Sequence, residues 1–323
     1  MSRQTVSVND AAKRKVDALI SEKDGLKVNV LKKGKATVID AGIHAKGSYE
    51  AGALVTEICM GGLGTASVHM KRYDDVELPT ITVATDFPLI SLLGSQLAGW
   101  RIKVENFFAM GSGPARALSL EPKELYDQLG YQDESRYAIL VMETQAVPQE
   151  KVLEHVASKC RVDLENLYVV VAPTSTIVGS TQIAGRITET GLHKLHSLGF
   201  DPKAVVSGIG TAPIAPIHPD NLKAMGRTND VIFFAGSTYY TVKFDDDAKL
   251  ADFVRKAPSS YSKDYGKPFH DVFKAAEYDF FKIDPNLFAP AEIVVNNLTT
   301  GKTLKAGKLN IEILKKSIDL LNA

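Results

Sequence analysis

The chain has 323 residues and a mass of 35.0 kDa, a length that favours two domains over a single core. Hydrophobic residues make up 45% and charged residues 24%, which excludes disordered, collagenous and coiled-coil classes. Lys+Arg and Asp+Glu both count 38, so no basic excess points to nucleic acid or to an anionic membrane surface.

Cys59 and Cys160 stand alone, with no CxxC, so neither a disulfide framework nor a structural zinc site is encoded. The opening MSRQTVSVNDAAKRKV lacks the apolar core of a signal peptide. The longest apolar runs, Tyr137-AILVM and Leu167-YVVVAP, fall far short of the roughly 20 residues a membrane span needs. The expectation is a soluble, cytoplasmic α/β protein.

In chain order, the periodicity predicts a helix from Asp10 to Ile20, a strand at Ala36-TVID, a helix from Tyr49 to Cys59 and a strand at Leu78-PTITVATD. Helices follow at Ala115 to Leu120 and Pro122-KELYDQL, then a strand at Tyr137-AILVMET and a helix from Gln149 to Lys159. The second half reads as a strand at Leu167-YVVVAP and one helix from Gly179 to Leu198. Strands at Val231-IFFAG, Thr238-YYTVKF and Glu292-IVVNNL precede a last helix from Asn310 to Leu321. Strands alternating with helices give an α/β fold. The expected division is an N-terminal α/β domain over 1–125, onto which 285–323 packs back, and a second α/β domain over 126–284.

Gly47-Ser48-Tyr49-Glu50 followed by Val55-Thr56-Glu57 matches Gly179-Ser180-Thr181-Gln182 followed by Ile187-Thr188-Glu189 in the same register. Met110-GSGPARAL is loosely echoed by Ile209-GTAPIAPI. Chance and a true duplication are both open readings. A duplication predicts two related domains with a ligand cleft between them.

Charge is spread unevenly. From Ala172 to Leu192 only Arg186 and Glu189 are charged, from Phe107 to Leu120 only Arg116, and from Val205 to Pro219 nothing. Such Gly-, Ser- and Thr-rich stretches are either tight packing turns or pocket walls where backbone approaches a ligand. They nominate Gly111, Ser112, Gly113, Arg116, Ser180, Gln182, Thr211 and Pro213 as binding residues, with Asn229 and Asp230 of Gly226-RTNDV added. Arg186 and Glu189 lie three apart and share a helix face. On a solvated surface they would be an ordinary ion pair worth a few tenths of a kcal/mol. In an uncharged stretch the desolvation of two charges needs a use.

Three competing motifs are weaker. Glu189, His193 and His196 share one helix face and offer a carboxylate and two imidazoles to zinc, but HExxH is absent, and Gly191 and the following Leu198-Gly199 suggest that the helix is ending. Gly111-Ser112-Gly113-Pro114 before Ala115-Arg116 is a small-residue turn at a helix start that suits an anion or a nucleotide phosphate, yet it lacks the Lys-Ser/Thr of a P-loop. Met60-GGLGTAS does not fit GxGxxG and reads as packing.

Beyond these patterns, the chain resembles the methenyltetrahydromethanopterin cyclohydrolase family over nearly its whole length. The resemblance runs through Val38-IDAG, Gly47-SYEAG, Ala98-GWRI, Phe108-AMGSGPARAL, Ala172-PTSTIVGSTQIAGRITETG, Gly210-TAPIAP, Ala224-MGRTNDVI, Tyr265-GKPF and Asp279-FFKID. It implies reversible hydrolysis of a cyclic amidine cation on a reduced pterin to its formyl derivative, with no metal or redox cofactor. It also implies two α/β domains with a pocket between them, a homotrimer, and Arg186 and Glu189 as the catalytic pair. Leu97 departs from the lysine associated with some relatives, so any role of that charge is absent here or supplied elsewhere.

Overall fold

The computed structural model describes residues 6–321. The chain begins with helix α1 (Val8–Ser21), the single turn α2 (Lys23–Leu26), strands β1 (Asn29–Lys33) and β2 (Ala36–Asp40), and helix α3 (Tyr49–Cys59). Strands β3 (Gly64–Tyr73) and β4 (Val76–Thr85), a π-helical stretch Leu89–Gln96, and strands β5 (Trp100–Val104) and β6 (Phe107–Ser112) follow. Next come α4 (Ala115–Ser119), α5 (Lys123–Leu129), β7 (Ala138–Glu143), α6 (Glu150–Cys160) and β8 (Leu167–Val171). Helices α7 (Ile177–Ala184) and α8 (Ile187–Ser197) precede β9 (Val205–Pro213), α9 (Asn221–Ala235), β10 (Ser237–Val242) and α10 (Asp247–Lys256). The last elements are α11 (Phe269–Ala275), β11 (Glu292–Asn297), β12 (Thr303–Gly307) and α12 (Ile311–Ser317).

These elements form two α/β units, Met1–Thr65 with Leu89–Gln182, and Ala66–Pro88 with Ile183–Ala323. The first holds a sheet of order β1-β2-β8-β7-β6-β5, in which β2, β8 and β7 run parallel. Both its faces are covered. Val38, Leu140, Val169 and Val171 join Val152, Leu153 and Val156 of α6 in one core. Ile39, Ile139, Val141 and Val170 join Val16 and Leu19 of α1 and Val55 and Ile58 of α3 in the other. Strands buried on both faces read as unbroken apolar runs, which is why the sequence announces them. Ser7 and Ser48 cap α1 and α3, each side chain accepting from a backbone N–H of the first turn.

The second unit holds a sheet of order β12-β11-β10-β9-β4-β3, with only β10 and β11 parallel among its registered pairs. Helices α8 and α9 pack on β9. On the opposite face Ile209 and Tyr239 remain 47% and 41% exposed, and β11 alternates half-buried and buried positions. One covered face explains the alternating pattern.

The division differs from the expected 125/126 boundary. Strands β7 and β8 complete the first sheet, while β4 pairs with β9 and so carries 66–88 into the second unit. The C-terminal stretch 285–323 does not return to the first unit: β11 pairs with β10, and α12 packs on α9. Val231-IFFAG is the end of α9, not a strand; Val231 to Ala235 are all buried, and an all-apolar run has no period that separates helix from strand. The helix read from Gly179 to Leu198 is two helices broken at Gly185-Arg186. The repeated Gly-Ser motif does not mark one copy per domain: Ser48 caps α3, whereas Gly179 and Ser180 lie inside α7, and both copies begin in the first unit, the second running on into the second unit at Ile187-Thr188-Glu189.

Candidate active site on the α7–α8 segment

Helix α8 starts at Arg186, its N-cap, with φ −81° and ψ 0°. Glu189 occupies the first turn and is 5% exposed. The N-terminus of a helix attracts negative charge through its unpaired N–H groups, so the fold places this carboxylate where an anion is best tolerated. Arg186, one turn earlier and half-buried, brings the nearest positive charge in the sequence. The pair nominated by the charge pattern therefore sits together at one helix end.

The opposite side of α8 rests on the second sheet. Tyr240 of β10 donates its hydroxyl to the Thr188 carbonyl at 2.5 Å. Gly191 supplies the clearance, since a Cβ there would collide with the Tyr240 hydroxyl. Gly208 and Gly210 of β9 likewise leave room for the Thr188 side chain. Lower down, Lys194 is 3% exposed and donates to Asn286 Oδ1; burial lowers its pKa, with the Asp284 charge opposing. Asn286 in turn donates to Asp284 at 2.9 Å, so a neutral amide relays between the buried ammonium and a carboxylate. The helix does end at Leu198, as Leu198-Gly199 suggests, but Gly191 is mid-helix and serves contact with Tyr240, which corrects its own reading as a sign of helix termination.

Helix α7 is held equally close within the first unit. Gly42, Gly47 and Gly52 leave space for Thr176, Val178 and Thr181 respectively. Asp40, fully buried, accepts from the backbone N–H groups of Gly42, Ile43, His44 and Ala45 and so shapes the loop that carries these contacts. Ser180 and Gln182, both 2% exposed, are on this helix.

Other nominated residues are placed elsewhere. Gly111 and Ser112 are strand residues, paired with Met142 and Val141, and only Gly113 (φ 99°) and Pro114 form the turn before α4. Arg116 is fully buried; its Nε donates to the Glu121 carbonyl at 2.9 Å and its Nη1 to the Leu93 and Ser95 carbonyls. That guanidinium fastens main chain, and α4 has only five residues, so the phosphate-turn alternative is not favoured. Thr211 lies on the face of β9 away from α8, where Lys71 reaches it at 3.5 Å, and the buried Pro213 ends the strand opposite Thr80. Asn229 returns its amide to the Met225 carbonyl. Asp230 is fully buried, accepts from Phe269 N and from Ser317 Oγ, and ties α9 to α11 and α12. Burial pushes its pKa up to about 7.

Among the described residues no three His, Cys, Asp or Glu side chains converge as a metal requires, and His193 is exposed; the Glu189–His193–His196 alternative is not assembled. Cys59 and Cys160 are both free and buried, and burial pushes the Cys160 thiol up to about 12. Gly61 and Gly62 pack against α1 at Val8 and Ala11, as the Met60-GGLG reading expects. Leu97 closes the π-helical stretch, its N–H bonding the Leu92 carbonyl at 2.9 Å.

Comparison with known proteins agrees with the arrangement of motifs along the chain. A family model described as Cyclohydrolase (MCH) matches residues 7–318. The chain belongs to the methenyltetrahydromethanopterin cyclohydrolase family. It is 49% identical to the methenyltetrahydromethanopterin cyclohydrolase of Methanobrevibacter smithii over 98% of this chain and 100% of the relative. Identity to the proteins of the same name from Methanosarcina mazei and Methanocaldococcus jannaschii is 48% and 46%, over 98% and 97% of this chain and 99% and 98% of those relatives.

Within this family assignment, Tyr240, Gly191 and Lys194 are the residues that sequence reasoning missed. Tyr240 sits in an ordinary strand pattern, and nothing local marks its hydroxyl as aimed at a helix. A glycine inside a helical period was the one available signal, since Gly there costs about 1 kcal/mol against Ala and asks for a packing reason.

Proposed function

We propose that this chain is a cyclohydrolase that reversibly hydrolyses methenyl-tetrahydromethanopterin to formyl-tetrahydromethanopterin. The observation that carries the reading is the family match over 7–318, joined to a buried carboxylate at a helix N-terminus, in a segment whose other charge is Arg186.

The substrate carbon bridges two nitrogens and carries a delocalised positive charge. Attack by water forms a C–O bond and acidifies the water, and Glu189 takes the proton. Its negative charge also faces the cationic carbon, stabilising the bound cation and orienting it. Arg186 keeps the carboxylate ionised against the cost of burial. One C–N bond then breaks, the departing nitrogen receives the proton from Glu189, and the hydroxyl on carbon loses its proton as the formyl C=O forms. The sum is cation plus water to neutral formyl product plus one proton. Ser180 and Gln182, on the helix that leads into this pair, are the nearest nominated binding groups in the chain. Arg116 and Asp230, by contrast, serve as internal struts.

The reading includes no metal and no redox cofactor, a cytoplasmic location and a homotrimer. No helix among the described residues is long and apolar enough to cross a membrane. Ultraviolet-monitored turnover of methenyl-tetrahydromethanopterin by the purified protein, against methenyl-tetrahydrofolate as comparison, tests the activity. Loss of absorbance with the first substrate supports it, and an inert protein refutes it.

A further inference from the structure

We infer that Tyr240 is a positioning residue for the reaction: its hydroxyl holds the peptide plane that carries Glu189. The inference rests on Glu189 acting as the base. The Thr188 carbonyl that Tyr240 engages belongs to the same rigid peptide unit as the Glu189 N–H. Fixing that carbonyl fixes the rotation of the first turn of α8 about its axis, and with it the direction in which Glu189 leaves the helix.

Two further observations fit a positioning device better than an ordinary packing contact. Gly191 and Gly208 both leave out the Cβ that would crowd the Tyr240 ring or hydroxyl, so the helix accepts a glycine in its interior to let the phenol in. Tyr240 itself is fully buried on β10, flanked by β9 and β11 through Gly208 and Val295. A side chain locked on a paired strand transmits position to the helix, whereas a loop residue would not. Burial raises the pKa of this phenol, and the Glu189 charge raises it further; the hydroxyl stays protonated and keeps donating throughout the working pH range.

General-base catalysis is steeply dependent on placement, and a shift of about 1 Å costs up to roughly 100-fold in rate. Tyr240→Phe keeps the ring and removes only the bond. The test is a four-protein set: wild type, Tyr240→Phe, Glu189→Gln and the double variant, with kcat and KM measured on methenyl-tetrahydromethanopterin and melting curves recorded in parallel. The expected result is a fall in kcat of about 10-fold for Tyr240→Phe with KM unchanged, and no further fall when it is added to Glu189→Gln, because the group it positions is gone. An equal loss in both backgrounds, a loss confined to KM, or no loss at all overturns the positioning role. Near-wild-type turnover of Glu189→Gln overturns the base itself, and the inference with it. Gly191→Ala, which pushes on the same hydroxyl from the helix side, is expected to reproduce the kcat-selective loss while leaving the tyrosine itself in the chain.

Discussion

Gly191 has no Cβ because the Tyr240 hydroxyl fills the space one would take. The absent methyl lets a strand reach across to the Thr188 carbonyl at 2.5 Å, and this contact seats the helix that begins with Arg186 and Glu189. Helix propensity alone argues that Gly191→Ala should stabilise by about 1 kcal/mol. A displaced buried hydroxyl costs about 1–3 kcal/mol, so the sign reverses. Gly191→Ala is expected to melt below wild type; a variant that melts higher would show that the contact is slack.

Asp230 supplies a prediction in pH. Its pKa stands at about 7 in the folded chain, through burial first and the Asp271 charge besides, against about 3.9 unfolded. A carboxyl raised on folding contributes stability that is full below about pH 4 and is lost as pH climbs through about 7. Asp230→Asn cannot titrate, so the melting temperature of wild type minus that of the variant should shrink from pH 5 to pH 8. A gap that stays constant across that window would mean the carboxyl is ionised throughout.

Much of the first unit was legible because its central strands are buried on both faces: Ala36-TVID, Tyr137-AILVMET and Leu167-YVVVAP announce themselves by composition. The second unit was harder. Val231-IFFA is equally apolar but helical, and β9 and β12 are glycine-bearing strands with weak propensity. The domain boundary was hidden because strand pairing is non-local. Nothing near Val76 to Thr85 in sequence says that this strand will pair with Val205 to Pro213. Arg186 and Glu189 were visible as isolated charges, whereas Arg116 carried the same signal and turned out to be a strut bonded to backbone, as did the separately nominated Asp230, bonded to Phe269 N and Ser317. An isolated charge in an apolar stretch marks a buried one, and only its partners say what it does.

Arg186→Ala should move the acid limb of the pH–rate profile upward, because Glu189 loses the positive charge that favours its ionised form. The profile of kcat/KM against pH reads this directly. Weaker binding with an unshifted limb would make Arg186 a substrate anchor instead.

Assembly is a separate matter. The proposed homotrimer predicts a light-scattering mass three times that of the 35.0 kDa chain, at micromolar concentration and moderate salt, with threefold cyclic symmetry as the simplest closed arrangement. A monomeric mass under those conditions would contradict it.

The central claim is that a buried carboxylate at the start of α8 performs the proton transfers of amidine hydrolysis. Glu189→Gln removes the base while keeping size and shape, and its turnover of methenyl-tetrahydromethanopterin, followed by ultraviolet absorbance beside a melting curve, is the most direct measurement of that claim. The account predicts a folded protein whose kcat is lower by about two orders of magnitude or more. A folded Gln variant that turns over at close to the wild-type rate would contradict it.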